Sequence, residues 1–136
     1  MTYLLDVNAL VALGFLQHEF HERVAAWVRG LIARGNAELA TCSITELGFL
    51  RVLAQAPQYG LGVSQARDLL MKLKAAKVMK FTFIPDDHDI SRLPVWVKTA
   101  KQTTDGHLSQ LARARGAILA TLDRQIPQSF LIPVGR

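Results

Sequence analysis

One cysteine in the whole chain, Cys42, leaves no partner for an internal disulfide and no set of thiolates for a Cys-rich zinc site. Hydrophobic runs long enough to cross a bilayer are missing too. The longest nearly uncharged stretch, 7–17, is about half of the ~20 residues that a spanning helix needs. The N-terminus Met1-Thr2-Tyr3 has no basic residue and leads straight into Leu4-Leu5-Asp6, so it does not read as a signal peptide. Together these absences point to a reducing, cytoplasmic protein with no membrane partner. Internal repeats, low-complexity tracts and linker-like segments are also lacking. Disorder is excluded, because 50% of the residues are hydrophobic and only 20% are charged. The expectation for 136 residues is therefore a single domain over 1–136 with a core of its own.

Acids are scarce. There are 11 Asp and Glu against 16 Lys and Arg, a formal charge of +5, and the pI is near 9.8. Such a balance suits a polyanionic partner such as nucleic acid, but many basic proteins bind none. What the few acids do is more telling.

Apolar spacing gives alternating elements. Tyr3-Leu4-Leu5 reads as a buried strand, 7–15 as a helix, and Glu22–Ala33 as an amphipathic helix stopped by Gly35-Asn36. Glu38–Thr41 is a second strand, and Ser43-Ile44-Thr45-Glu46 has the form of a capping box opening a helix to Gln55. After a break at 57–62, Ser64–Lys77 is expected helical and Lys80–Ile84 a strand. Residues 86–102 form the longest irregular stretch. A helix from Thr103 or Thr104 to Arg115, a strand Ala117–Leu122 and a last strand Phe130–Pro133 complete the chain. Strands alternating with helices imply a parallel sheet covered on both faces.

In such sheets ligands bind beyond the carboxyl ends of the strands. Asp6 directly follows the first strand and Asp123 directly follows the strand 117–122. Glu46 lies in the first turn of the helix after the second strand, which would bring these three acids to one edge. Asp105, in the first turn of the helix 103–115, joins them only if 86–102 carries its helix start to the same rim. Each acid also has a local role open to it. Asp6 can be a helix N-cap, Glu46 can complete the box with Ser43, Asp105 can favour the helix dipole, and Asp123 can sit in a turn. Four acids at one edge would repel one another unless a cation lay among them. Carboxylate-only donors suit Mg²⁺ or Mn²⁺. Such an ion lowers the pKa of a water and neutralises charge on a phosphodiester. Asn8 and Thr121, two residues from Asp6 and Asp123, are placed either to orient those carboxylates or to bond the local backbone.

Leu4-Leu5-Asp6-Val7-Asn8-Ala9-Leu10, Thr45-Glu46-Leu47, Thr104-Asp105-Gly106-His107-Leu108 and Ala120-Thr121-Leu122-Asp123 resemble the four acidic motifs of PIN domains. Their order and spacing are similar to VapC, the toxin ribonuclease of VapBC toxin–antitoxin pairs. The likeness spans nearly the whole chain; each motif is loose, but the ordered set of four is specific. It implies a three-layer α/β/α sandwich with a central parallel β-sheet, and Mg²⁺- or Mn²⁺-dependent endoribonuclease cleavage of RNA. By motif, Asp6, Glu46, Asp105 and Asp123 would be the catalytic, metal-binding acids. Gly106 stands where Ala often follows the third acid.

The resemblance also implies a homodimer and a cognate antitoxin lying in a groove near the site. An antitoxin Arg inserted among the four acids would form charge-assisted hydrogen bonds there. Mean hydropathy is +0.18, and Leu10, Val11, Leu13, Phe15 and Leu16 are more apolar than one core face requires, so the groove is expected on the first two helices. The alternative is that both helices are simply buried.

For RNA contact, Arg92, Lys98 and Lys101 flank the approach to Asp105, and Trp96 is the candidate for stacking on a base. His18, Glu19, His21 and Glu22 read as a solvated helix start, with a zinc site as the alternative. His107, two residues after Asp105, is expected to face away from it; Cys42 and Trp27 read as core. Arg67, Lys72, Lys74, Lys77 and Lys80 read as a soluble helix face. Three other functions have partial support. A haloacid-dehalogenase-type phosphatase wants a second Asp where Asn8 stands. A receiver-type domain would use Asp86-Asp87 but needs a Lys after a late strand, where Asp123-Arg124 stand. A non-catalytic RNA- or partner-binding module explains the charge but not the four acids.

Overall fold

The computed structural model describes residues 1–135. Five strands form one sheet: β1 (Thr2–Leu5), β2 (Glu38–Thr41), β3 (Phe81–Phe83), β4 (Ala117–Thr121) and β5 (Phe130–Leu131). Their order is β3-β2-β1-β4-β5, and every pairing is parallel. Five helices connect them: α1 (Val7–Gly14), α2 (His21–Arg34), α3 (Ser43–Gln55), α4 (Val63–Ala75) and α5 (Thr103–Ala114).

The pleat divides the core. Leu5, Leu39 and Ala120 face one way and pack with Leu10, Val24, Trp27, Phe49 and Leu70 of α1–α4. Leu4, Ala40 and Leu119 face the other way and pack with Leu108, Leu111 and Ala112 of α5. Side chains alternate in direction along a strand, so strands this short reach both layers only if nearly every residue is apolar. The result is the expected α/β/α sandwich. Cys42 is fully buried and Trp27 packs against Tyr3 and Phe130, both as expected.

Several boundaries shift. The helix expected over 64–77 ends at Ala75, where Ala76 turns to an extended backbone. The last strand pairs only at Phe130 and Leu131, although the Ile132 N–H still donates to the Thr121 carbonyl at 2.9 Å. The irregular segment 86–102 carries two short 3-10 turns, Ile90–Arg92 and Ala100–Gln102.

The expected N-terminal groove is not there. Leu10 and Val11 are fully buried, Leu13 and Phe15 are half-buried, and only Leu16 is exposed. These side chains fill the layer between α1, α2 and the sheet. Exposed apolar side chains gather instead around α3 and α4, at Leu47, Met71 and Phe83.

Chain order places the site. After β1 the chain winds outward through β2 and β3, then returns to β4 on the other flank of β1. The carboxyl ends of β1 and β4 therefore meet at the point where the winding reverses, the usual ligand crevice of such sheets. Asp6 and Asp123 stand there.

Candidate active site

Asp6 is the N-cap of α1: its Oδ1 accepts the Asn8 N–H at 3.3 Å. Its backbone N–H still belongs to the sheet, donating to the Ala120 carbonyl at 3.0 Å. The carboxylate is almost fully buried, and its Oδ2 accepts the Thr121 hydroxyl at 2.6 Å. Thr121 is fully buried at the end of β4. Its Oγ1 also accepts the Asp123 N–H at 3.0 Å, so one hydroxyl ties both acidic strand ends together. Asp123 is exposed, with its Oδ1 accepting the Gln125 N–H at 2.8 Å in a turn. Asp6 and Asp123 thus keep the local roles open to them, a helix N-cap and a turn, while standing at the same rim.

Asp105 reaches the same rim because 94–97 packs over the start of α5. A Cβ on Gly106 would lie 2.2 Å from Val97 Cγ2 and 3.4 Å from Pro94 Cδ, so only glycine admits this approach. Burial, then the charges of Asp6 and Asp123, push the Asp105 carboxyl up to about 6. Burial also raises Asp6, opposed by the Thr121 and Asn8 bonds and reinforced by the Asp123 charge. Three acids thus share one electrostatic site.

Glu46 is placed differently. Ser43 does not cap α3; Cys42, in an extended conformation, precedes the helix, and its N–H donates to Thr45 Oγ1 at 3.0 Å. The helix begins one residue before the box expected from Ser43, which frees Glu46 from any capping role. Its Oε2 accepts the Thr41 hydroxyl at 2.6 Å and pairs with the Lys74 ammonium of α4. Glu46 lines a separate, mostly apolar cavity of about 340 Å³ with Leu47, Leu70, Met71 and Phe83. Lys74 was hidden among the lysines of a helix that reads as a soluble face. Its one sequence signal is position: it continues the stripe of buried Ala66 and Leu70 at four-residue steps.

A cavity of about 390 Å³ opens at Asp6, Thr121 and Asp123. Its remaining wall is Asn8, His18, Glu19 and Phe20. The polar groups of 18–22, which read as a solvated helix start, part company. His18 Nδ1 accepts the Phe20 N–H, His21 Nδ1 bonds the Ala12 carbonyl at 2.7 Å, and Glu22 pairs with Arg29. No zinc site forms from them.

The segment expected to hold RNA divides too. Lys98 and Lys101 are exposed, and the Arg92 guanidinium lies 3.0 Å from His88 Nε2. Trp96 is half-buried against the α5 layer and 3.7 Å from a Cβ at Gly106. Part of this ring packs at the start of α5, and the rest stays open to solvent. His107 turns away to Asp86, and Asp87 pairs with Arg115, so neither acid of the receiver reading joins the cluster.

The donors at the rim are hard carboxylate oxygens whose mutual repulsion a divalent cation would relieve, so their chemistry fits Mg²⁺ or Mn²⁺. As they stand, no three Asp, Glu, His or Cys side chains among the described residues are grouped closely enough to enclose an ion.

A family model described as PIN domain matches residues 3–129. Ribonuclease VapC38 of Mycobacterium tuberculosis is 40% identical over 124 residues, covering 88% of this chain and 84% of that protein. Ribonuclease VapC44 of the same species is 39% identical over 132 residues, covering 93% and 89%. A solved structure of VapBC2 from Rickettsia felis, bound to a DNA fragment from its promoter, matches with a TM-score of 0.63. At 16% identity, over 96% of this chain and 97% of that one, it speaks for the fold alone. An acidic rim at the β1/β4 reversal, on a fold shared with VapBC2 and a sequence shared with two VapC ribonucleases, places this chain in the PIN domain family, among the VapC ribonucleases.

Proposed function

We propose that this chain is a Mg²⁺- or Mn²⁺-dependent endoribonuclease in which Asp6, Asp105 and Asp123 form the metal-holding centre and Glu46 flanks it. The observation that carries this reading is the meeting of Asp6 and Asp123 at the carboxyl ends of β1 and β4, tied by the one Thr121 hydroxyl, with the Asp105 charge close enough to be felt by both. A bound divalent cation would supply an acidified water and charge neutralisation at the phosphodiester. The chain's own residues do the rest. Thr121 fixes the Asp6 carboxylate toward the rim, the 94–97 packing fixes Asp105, and Lys74 holds Glu46. Lys98 and Lys101 provide charge for the RNA backbone beside an otherwise acidic centre.

Cleavage of single-stranded and structured RNA with Mg²⁺ or Mn²⁺ tests the proposal. Asp6→Asn and Asp105→Asn should each reduce cleavage by orders of magnitude while the protein stays folded. Full activity in either variant, with contaminating nuclease excluded, removes this centre.

The neighbouring structure is of VapBC2, and we extend the VapBC pairing that the sequence resemblance implies to this chain. It acts as the toxin of a homodimeric VapBC pair whose cognate antitoxin suppresses it, with an Arg among the acids. The exposed Leu47, Met71 and Phe83 offer the apolar surface for these contacts. No helix among the described residues is long and apolar enough to cross a membrane. A cytoplasmic setting, where RNA and a buried free thiol both belong, completes the reading. Light scattering after size exclusion, alone and with the neighbouring gene product, should show a dimer and a larger complex without RNase activity. A strict monomer that ignores that product at tens of micromolar would refute the pairing.

A further inference from the structure

Asp6, Thr121 and Asp123 account for one side of the 390 Å³ cavity; the connection between α1 and α2 accounts for the other. Three consecutive residues of that connection, His18, Glu19 and Phe20, line it. Phe20 is 40% exposed, with its ring centroid 5.9 Å from that of His18. His18 Nδ1 accepts the Phe20 N–H at 3.0 Å, so the neutral ring carries its proton on Nε2 and is a donor there. Glu19 is exposed and belongs to none of the ion pairs among the described residues.

This wall therefore offers an aromatic surface, an N–H donor and a bidentate carboxylate acceptor. A phosphate would be repelled by Glu19, so the wall does not suit the RNA backbone. A base suits it. Unpaired bases are read through their Watson–Crick edges and by stacking on aromatic rings. Guanine presents two parallel donors, N1–H and the N2 amino group, that match both oxygens of a carboxylate, with the O6 acceptor beside them. Adenine and cytosine present one amino donor next to an acceptor, which a carboxylate repels.

We infer that the 18–20 segment is a subsite for an unpaired guanine next to the phosphate that is cut. Glu19 accepts from N1 and N2, the His18 Nε2–H donor serves O6, and Phe20 packs on the ring. The inference rests on the ribonuclease reading and deepens it to a substrate preference.

Cleavage of a single-stranded RNA pool of randomised sequence, read by sequencing the new ends, locates the preferred base. Guanine should be enriched at one position flanking the cut. In defined RNAs, kcat/KM should be at least tenfold higher with guanine than with adenine at that position. Inosine, which keeps N1–H and O6 but lacks the N2 amino group, should fall between them. Glu19→Gln should bring the guanine/adenine ratio close to one, and Phe20→Ala should raise KM while leaving the ratio in place; thermal melts confirm that both variants fold. Binding of the same RNAs to Asp105→Asn, by fluorescence anisotropy, reads the preference without cleavage. Cleavage with no guanine enrichment, or enrichment that survives Glu19→Gln, overturns the subsite and leaves the nuclease standing. Guanine-selective binding that Glu19→Gln abolishes, without cleavage by the parent, overturns the nuclease reading and leaves a guanine site on this wall with no cut beside it. Neither cleavage nor selective binding overturns both.

Discussion

Replacing Asp105 by Asn should stabilise the metal-free protein at pH 7.5 and leave it unchanged near pH 4. The carboxyl rises from 3.8 to about 6, through burial first and then the charges of Asp6 and Asp123. Between those two values the unfolded chain has released a proton that the folded chain keeps. Stability therefore falls as pH rises through this window and levels off above about 6. Unscreened, the difference corresponds to about 3 kcal/mol. Asp105 is half-buried, so water screens it and about 1–2 kcal/mol is the expected cost of its charge. Asparagine keeps the shape and removes the charge. In a domain of this size ~1 kcal/mol moves Tm by about 4 °C. The variant should gain roughly 4–8 °C at pH 7.5 in EDTA, and the gain should vanish by pH 4. Saturating Mg²⁺ or Mn²⁺ should close the gap by stabilising the parent more than the variant. Circular-dichroism melts between pH 4 and 8, with and without metal, make the measurement. A gain that is the same at every pH, or a loss at pH 7.5, would refute the repulsion argument.

Thr121→Val removes the hydroxyl that Asp6 accepts and that holds the Asp123 N–H. A loss of about 1–3 kcal/mol is expected in urea melts. The Asp6 carboxyl should rise further, moving the acid limb of the cleavage pH profile upward; an unmoved limb would argue against control through this bond. Gly106→Ala places a Cβ 2.2 Å from Val97 Cγ2. It should destabilise by about 1–3 kcal/mol, and Val97→Ala should recover most of that in a double-mutant cycle. Additive effects would show that the 94–97 packing does not carry Asp105.

Much of this was legible because it is local. The apolar runs Tyr3–Leu5 and Ala117–Leu122, each closed by an acid, announce buried parallel strands and place Asp6 and Asp123 at their carboxyl ends. What failed is what depends on distant partners. Whether Leu10 and Val11 are exposed depends on how α1 lies against the sheet, which their spacing does not encode. Glu46 and Lys74 meet across 28 positions because α3 and α4 pack side by side. Ser43 fits the capping pattern better than Cys42, yet the helix starts where β2 releases the chain, and Thr45 supplies the reciprocal bond. That Trp96 is partly covered by the α5 layer is likewise invisible in an irregular segment whose packing partners lie in another element.

The Thr121–Asp6 bond spans 115 positions, from the first strand of the chain to the fourth. During synthesis, β1 emerges early and can pair only with β2 until β4 follows. A growing chain therefore displays a lone Asp6, then Glu46, then Asp105, and no gathered centre until residue 123 has left the ribosome. The contact that joins Asp6 to Thr121 is therefore among the last of the sheet to close.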